Sequence, residues 1–121
     1  MSKLVLTVDD SRTMRDMLKM ALDGAGFRVV QAVDGLHGLE VLQSHAPDVI
    51  ITDINMPNLD GFGFIEAVRG DAQRRATPIL VLTTESDAEK KQRARDAGAS
   101  GWIVKPFDPV KLVDAVRRVA A

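Results

Sequence analysis

The stretch Leu4–Asp16, LVLTVDDSRTMRD, holds the key to the fold. Leu4 to Val8 is a short apolar run that ends on two adjacent carboxylates, Asp9 and Asp10. Ser11 follows, at the point where a helical pattern begins. A helix cap needs one side-chain oxygen, and Ser11 can supply it. Two further acids at a strand-to-helix junction are more than local structure requires, so they call for partners from elsewhere in the chain.

Such partners recur at matching places. Apolar, β-branched runs alternate with helical patterns five times: Leu4 to Val8, Phe27 to Val30, Val49 to Thr52, Ile79 to Leu82 and Trp102 to Val104. None shows clean period-two alternation, as expected of strands buried on both faces of a parallel sheet. Between them, Met14, Met17, Leu18, Ala21, Leu22 and Ala25 form one apolar helical face, ended by Gly24 and Gly26. A second helix over Gly35–Ser44 carries Leu36, Leu39 and Leu42. A third holds Phe64, Ile65 and Val68 and stops at Gly70. A charged fourth helix over Asp87–Ala97 has Gly98 at its C-terminal end, and a fifth opens with Asp108 as cap and Pro109 behind it. Five units of this kind predict an α/β doubly wound, five-stranded parallel sheet with right-handed crossovers and five helices.

Length and composition agree with one ordinary globular domain over residues 1–121: 45% hydrophobic, 27% charged, with a net charge of −1. The near-zero charge offers no general field for nucleic acid or an anionic membrane. The absence of cysteine excludes disulfides, thiolate metal sites and cysteine nucleophiles. No stretch approaches the roughly 18 apolar residues of a membrane span, and the first apolar run is too short for a signal peptide. These features lead us to expect a cytoplasmic protein.

In open α/β sheets ligands bind beyond the carboxyl ends of the strands. Asp9 and Asp10 follow the first strand, Asp53 the third, Thr83 the fourth and Lys105 the fifth. All should therefore face one crevice. Three carboxylates at ~4 Å would repel by ~4 kcal/mol per pair at an effective dielectric near 20, more than one lysine offsets. A divalent cation would relieve them, and an all-oxygen donor set favours Mg²⁺ over zinc or copper. His37 and His45 lie on or near the second helix, away from the strand ends, and read as surface residues. A hard cation, a lysine and a hydroxyl around a carboxylate suit phosphoryl transfer, with Asp53 as nucleophile.

Four motifs in order, VDDS (8–11), TDINMPNLDG (52–61), VLTTES (81–86) and GASGWIVKPF (98–107), resemble the response-regulator receiver family, in particular its single-domain chemotaxis members. The resemblance spans essentially the whole chain and implies strand order 2-1-3-4-5. It implies that Asp53 accepts a phosphoryl group from a histidine kinase, CheA-like in a chemotaxis system, in a phosphoprotein with self-catalysed transfer and autodephosphorylation rather than a conventional enzyme. It implies Mg²⁺ held by Asp10, Asp53 and the Asn55 carbonyl, with Asp9 acting through water. Lys105 and Thr83 become phosphate-contacting residues, Thr83 and Trp102 the switch, and Asn55 and Glu85 the residues that set the phosphoryl lifetime. Trp102 departs from the family's more common Tyr or Phe. The resemblance also implies a cis Lys105–Pro106 bond. A stand-alone monomeric receiver without an output domain is expected, acting on a flagellar motor switch protein or a phosphatase, or serving as phosphate sink or relay intermediate. The rival reading is an aspartate-nucleophile phosphatase of the haloacid-dehalogenase type. Its second acid, two residues after the nucleophile, is here Asn55.

Elsewhere, Lys90, Lys91, Arg93 and Arg95 read as a solvated helix face, with a partner surface as the alternative. Met14 and Met17 are expected in the core.

Overall fold

The computed structural model describes residues 2–121. Its strands are β1 (Leu4–Val8), β2 (Arg28–Ala32), β3 (Val49–Thr52), β4 (Ile79–Thr83) and β5 (Gly101–Val104). They alternate with α1 (Arg12–Gly24), α2 (Gly35–Leu42), α3 (Gly61–Gly70), α4 (Ala88–Ala97) and α5 (Pro109–Ala120). All pairings are parallel, in the order β2-β1-β3-β4-β5. The doubly wound sheet and its strand order are as expected.

The lack of alternation in the central strands has a direct cause, since both faces of the sheet are covered. Leu6, Val8, Ile50, Ile79 and Val81 pack on one side with Leu42 of α2, Phe64, Ile65 and Val68 of α3, and Ala94 of α4. Val5, Val49, Ile51, Leu80 and Leu82 pack on the other with Leu18 and Leu22 of α1 and Leu112 and Val116 of α5. Neighbouring residues thus serve opposite cores. Only β2 and β5, at the edges, lose full burial.

Capping side chains set the helix starts. Ser11 accepts from the Met14 amide, Asp34 from His37, Asp60 from Gly63, Asp87 from Glu89 and Lys90, and Asp108 from Val110. Gly98 closes α4 at φ 118°, a left-handed conformation that suits glycine.

Several expectations need correction. β2 is displaced from Phe27–Val30 because its register with β1 runs from Leu4↔Arg28 to Val8↔Ala32, leaving Phe27 in the approach to the strand. α2 ends at Leu42, short of Ser44. A single 3₁₀ turn, Ala72–Arg74, was not expected. Met17 is 44% exposed, beside the buried stripe of Leu18 and Leu22 rather than in it. Leu36 is 54% exposed because α2 turns its glycines inward. A Cβ on Gly35 would lie 2.5 Å from the Leu59 carbonyl oxygen, and one on Gly38 would lie 2.7 Å from the Phe64 ring. Gly35, Gly38 and Leu42 form the close-packed face, and Leu36 falls about 100° off it.

Candidate functional site

The register brings the acids together. β1 and β3 are neighbours, with Val8 opposite Thr52, so Asp9 and Asp53 leave the sheet side by side. The strand order reverses between them, with β2 to one side of β1 and β3 to the other. The Asp53 amide donates to the Val8 carbonyl at 3.0 Å, continuing the ladder into the site. One oxygen each from Asp9, Asp10 and Asp53 lies within 4.8 Å of the others.

Lys105 enters from β5. Its amide donates to the Thr83 carbonyl at 2.8 Å, and its Nζ donates to Asp9 Oδ2 and Asp53 Oδ2, both at 2.9 Å. The Lys105–Pro106 bond is cis, as the resemblance implies. One ammonium thus bridges two buried carboxylates, at 2% and 8% exposure. The other oxygens are held locally: the Ser11 amide donates to Asp9 Oδ1 at 2.9 Å, and the Ile54 amide to Asp53 Oδ1 at 2.7 Å. The loop after Asp53 is clamped from behind. Gly61 donates to the Ile54 carbonyl at 2.8 Å, and a Cβ there would sit 2.2 Å from the Asp53 carbonyl oxygen.

Burial pushes the Asp9 carboxyl above its ordinary value, against the lowering effects of the Ser11 amide and Lys105. Desolvation alone would lower Lys105, but its hydrogen bonds to Asp9 and Asp53, with their charges, outweigh this and hold it above its ordinary value. The ammonium therefore stays charged. Three carboxylates and one ammonium leave two uncompensated negative charges. Asp10 is exposed, and among the described residues no cation pairs with it. A cluster of hard oxygen donors with excess negative charge fits Mg²⁺.

Thr83 is fully buried at the end of β4, whereas Thr84 beside it is exposed. Thr83 Oγ1 accepts from the Glu85 amide at 3.3 Å. Glu85 also accepts the Trp102 indole N–H on its carbonyl at 3.1 Å, and its carboxylate accepts from Asn55 Nδ2 at 3.4 Å. Thr83, Glu85, Asn55 and Trp102 are thus one connected group. Trp102 is half-buried against the α2–α3–α4 core. Neither histidine takes part in the acid cluster. His37 Nδ1 accepts from the Val33 amide at 3.0 Å, and His45 is exposed.

Sequence reasoning missed two supporting residues. Arg15 donates to the Asp9 carbonyl at 2.7 Å; its place on the first turn of α1 was the available signal. Lys90, read as part of a solvated face, pairs with Glu85 at 3.1 Å.

Comparison with known proteins gives a consistent result. The family model described as response regulator receiver domain matches residues 5–117. The chain is 36% identical to a probable chemotaxis protein CheY of Rhizobium etli, over 95% of this chain and 90% of that protein. It is 38% identical to a probable transcriptional regulator, ycf27, of Guillardia theta, over 95% of this chain but 44% of the relative, so it spans less than half of that longer protein. The crystal structure of the Vibrio cholerae chemotaxis protein CheY4 superposes with a TM-score of 0.94 at 47% identity, covering 98% of this chain and 99% of that one.

Proposed function

We propose that this chain, which belongs to the response-regulator receiver family, is a phosphoacceptor switch whose acceptor is Asp53. The observation that carries the reading is the Lys105 bridge between Asp9 and Asp53 beside the exposed Asp10. It holds a carboxylate ready to accept a phosphoryl group, with positive charge in place for the incoming oxygens. In the forward step the P–N bond of a kinase phosphohistidine breaks as an Asp53 oxygen–phosphorus bond forms. In a separate resetting step water attacks phosphorus, the Asp53 oxygen–phosphorus bond breaks, and inorganic phosphate leaves as the carboxylate is restored.

Asp10, Asp53 and the Asn55 carbonyl would hold Mg²⁺, with Asp9 contributing through water, and the bound ion would supply further positive charge against the phosphoryl oxygens. Lys105 contributes the fixed ammonium. The Thr83 hydroxyl, at the end of β4, serves as hydrogen-bond donor to the phosphoryl group and, with Trp102, as the switch. Asn55 and Glu85 stand beside the approach of water and set the lifetime. Among the described residues no helix is long and apolar enough to cross a membrane, which is compatible with cytoplasmic action.

Similarity to two chemotaxis proteins, over 90% and 99% of their own lengths, supports a receiver that acts in chemotaxis. Its donor would be a CheA-like kinase, and its target a flagellar motor switch protein or a phosphatase. A phosphate sink for a shared kinase is the second reading, and it fits the same similarity. The test is intact-mass measurement after incubation with acetyl phosphate and Mg²⁺. One added phosphoryl group should appear on the parent and none on Asp53→Asn; equal addition to both would refute the assignment. Pulldown with beryllofluoride-loaded and free protein would then distinguish a motor target from a sink without an activated partner. Sustained turnover of a chromogenic phosphate monoester would favour a phosphatase instead.

A further inference from the structure

Glu85 is held at four points. Its amide donates to Thr83 Oγ1, its carbonyl accepts from the Trp102 indole, and its carboxylate Oε1 accepts from Asn55 Nδ2 and pairs with Lys90 Nζ. Three of these partners belong to the group already described around the site. The fourth is on α4, which carries no acid of the cluster. Lys90 and Glu85 are partly open to solvent, with side chains 44% and 29% exposed, so water and salt can compete for the pair.

From this arrangement we infer that Lys90 is a positioning residue for dephosphorylation, holding the Glu85 carboxylate against Asn55 across the approach to Asp53. The inference rests on the proposed role of Asp53 as acceptor. With Lys90 in place, the Glu85 carboxylate is partly neutralised and stays docked, so the opening beside Asn55 is narrow. Without it, the bare carboxylate is repelled by the phosphoryl group and by the Asp9 and Asp10 carboxylates, and it swings to solvent. Water then reaches the phosphorus more easily, and the lifetime shortens. An exposed ion pair is weak enough to be reversible. Anything that draws Lys90 away, such as salt or the carboxylate of a partner on α4, thereby acts on the lifetime.

The test measures loss of phosphate from purified protein labelled with acetyl phosphate, at low and high NaCl. Labelling of the parent on Asp53 is the first arm, and its failure would refute the acceptor reading rather than this one. Given labelling, Lys90→Ala should shorten the lifetime about two- to five-fold, the range open to an exposed ion pair. NaCl should shorten the parent's lifetime and leave that of Lys90→Ala unchanged. Lys90→Arg should restore both the parent lifetime and its salt dependence. In a Glu85→Ala background, Lys90→Ala should have no further effect, as a double-mutant cycle requires if Lys90 acts through Glu85. A lifetime unchanged or lengthened in Lys90→Ala, or an equal effect of Lys90→Ala with and without Glu85, would overturn the inference.

Discussion

Replacing Asp10 with Asn should stabilise the metal-free protein and abolish its response to Mg²⁺. Asp10 lies within 4.8 Å of two other carboxylates, and no cation among the described residues pairs with it. At that separation two unit charges repel by roughly 3.5 kcal/mol at an effective dielectric of 20 and by about 0.9 kcal/mol in water. Asp10 is exposed, so the lower figure applies. Lys105 offsets about one of the two repulsions, and the nearby start of α1 returns a few tenths of a kcal/mol through its dipole. The net gain on neutralising Asp10 is therefore about 0.5–1 kcal/mol. With a urea slope of about 1–2 kcal/mol/M, the midpoint in excess chelator should rise by roughly 0.5 M. Mg²⁺ should reverse the ranking. At 100-fold excess over its dissociation constant, a ligand specific for the folded state contributes about 2.7 kcal/mol. The parent should gain that amount and Asp10→Asn almost none. If Asp10→Asn is less stable than the parent in chelator, or gains as much from Mg²⁺, the electrostatic reading of the cluster is wrong.

Lys105→Met should strand two buried acids and cost about 3–5 kcal/mol by urea denaturation at neutral pH, as expected when one partner of a buried pair is removed. Lys105 is held above its ordinary value, so its stabilisation is fully present below the unfolded value near 10.5 and is lost as pH rises through the higher folded value. The parent should therefore lose stability above about pH 10.5, a loss that Lys105→Met should lack. Gly61→Ala would force a Cβ to within 2.2 Å of the Asp53 carbonyl oxygen; a loss of about 2 kcal/mol or more and slower phosphorylation are expected, and parent-like values for both would contradict the clamp. Trp102 is the only tryptophan, and its indole is bonded to the Glu85 carbonyl. Beryllofluoride with Mg²⁺ should change its emission in the parent but not in Asp53→Ala, and unchanged emission in the parent would remove Trp102 from the switch.

Much of the molecule is legible in the chain because it depends on local chemistry. Buried strands need short β-branched runs, and Ser11, Asp87 and Asp108 mark helix starts because a side-chain oxygen must satisfy free amides. Gly98 marks a helix end because glycine tolerates the left-handed region. Asp9, Asp10, Asp53, Thr83 and Lys105 could be gathered from the sequence because residues at the C-terminal ends of parallel strands share one edge of the sheet. Other features depend on how distant segments meet. The glycine face of α2 turned inward and exposed Leu36, although leucine is the more apolar residue, because only a bare backbone fits against Leu59 and Phe64. Lys105 reaches Asp9 and Asp53 together only because β1 and β3 are paired while β5 lies two strands away from β3. Lys90 finds Glu85 through the path of the β4–α4 loop, which no periodicity encodes. Spacing along the chain specifies what each segment can bury or cap; which of its side chains meets a charge from another segment is decided by the packing that sets their separation.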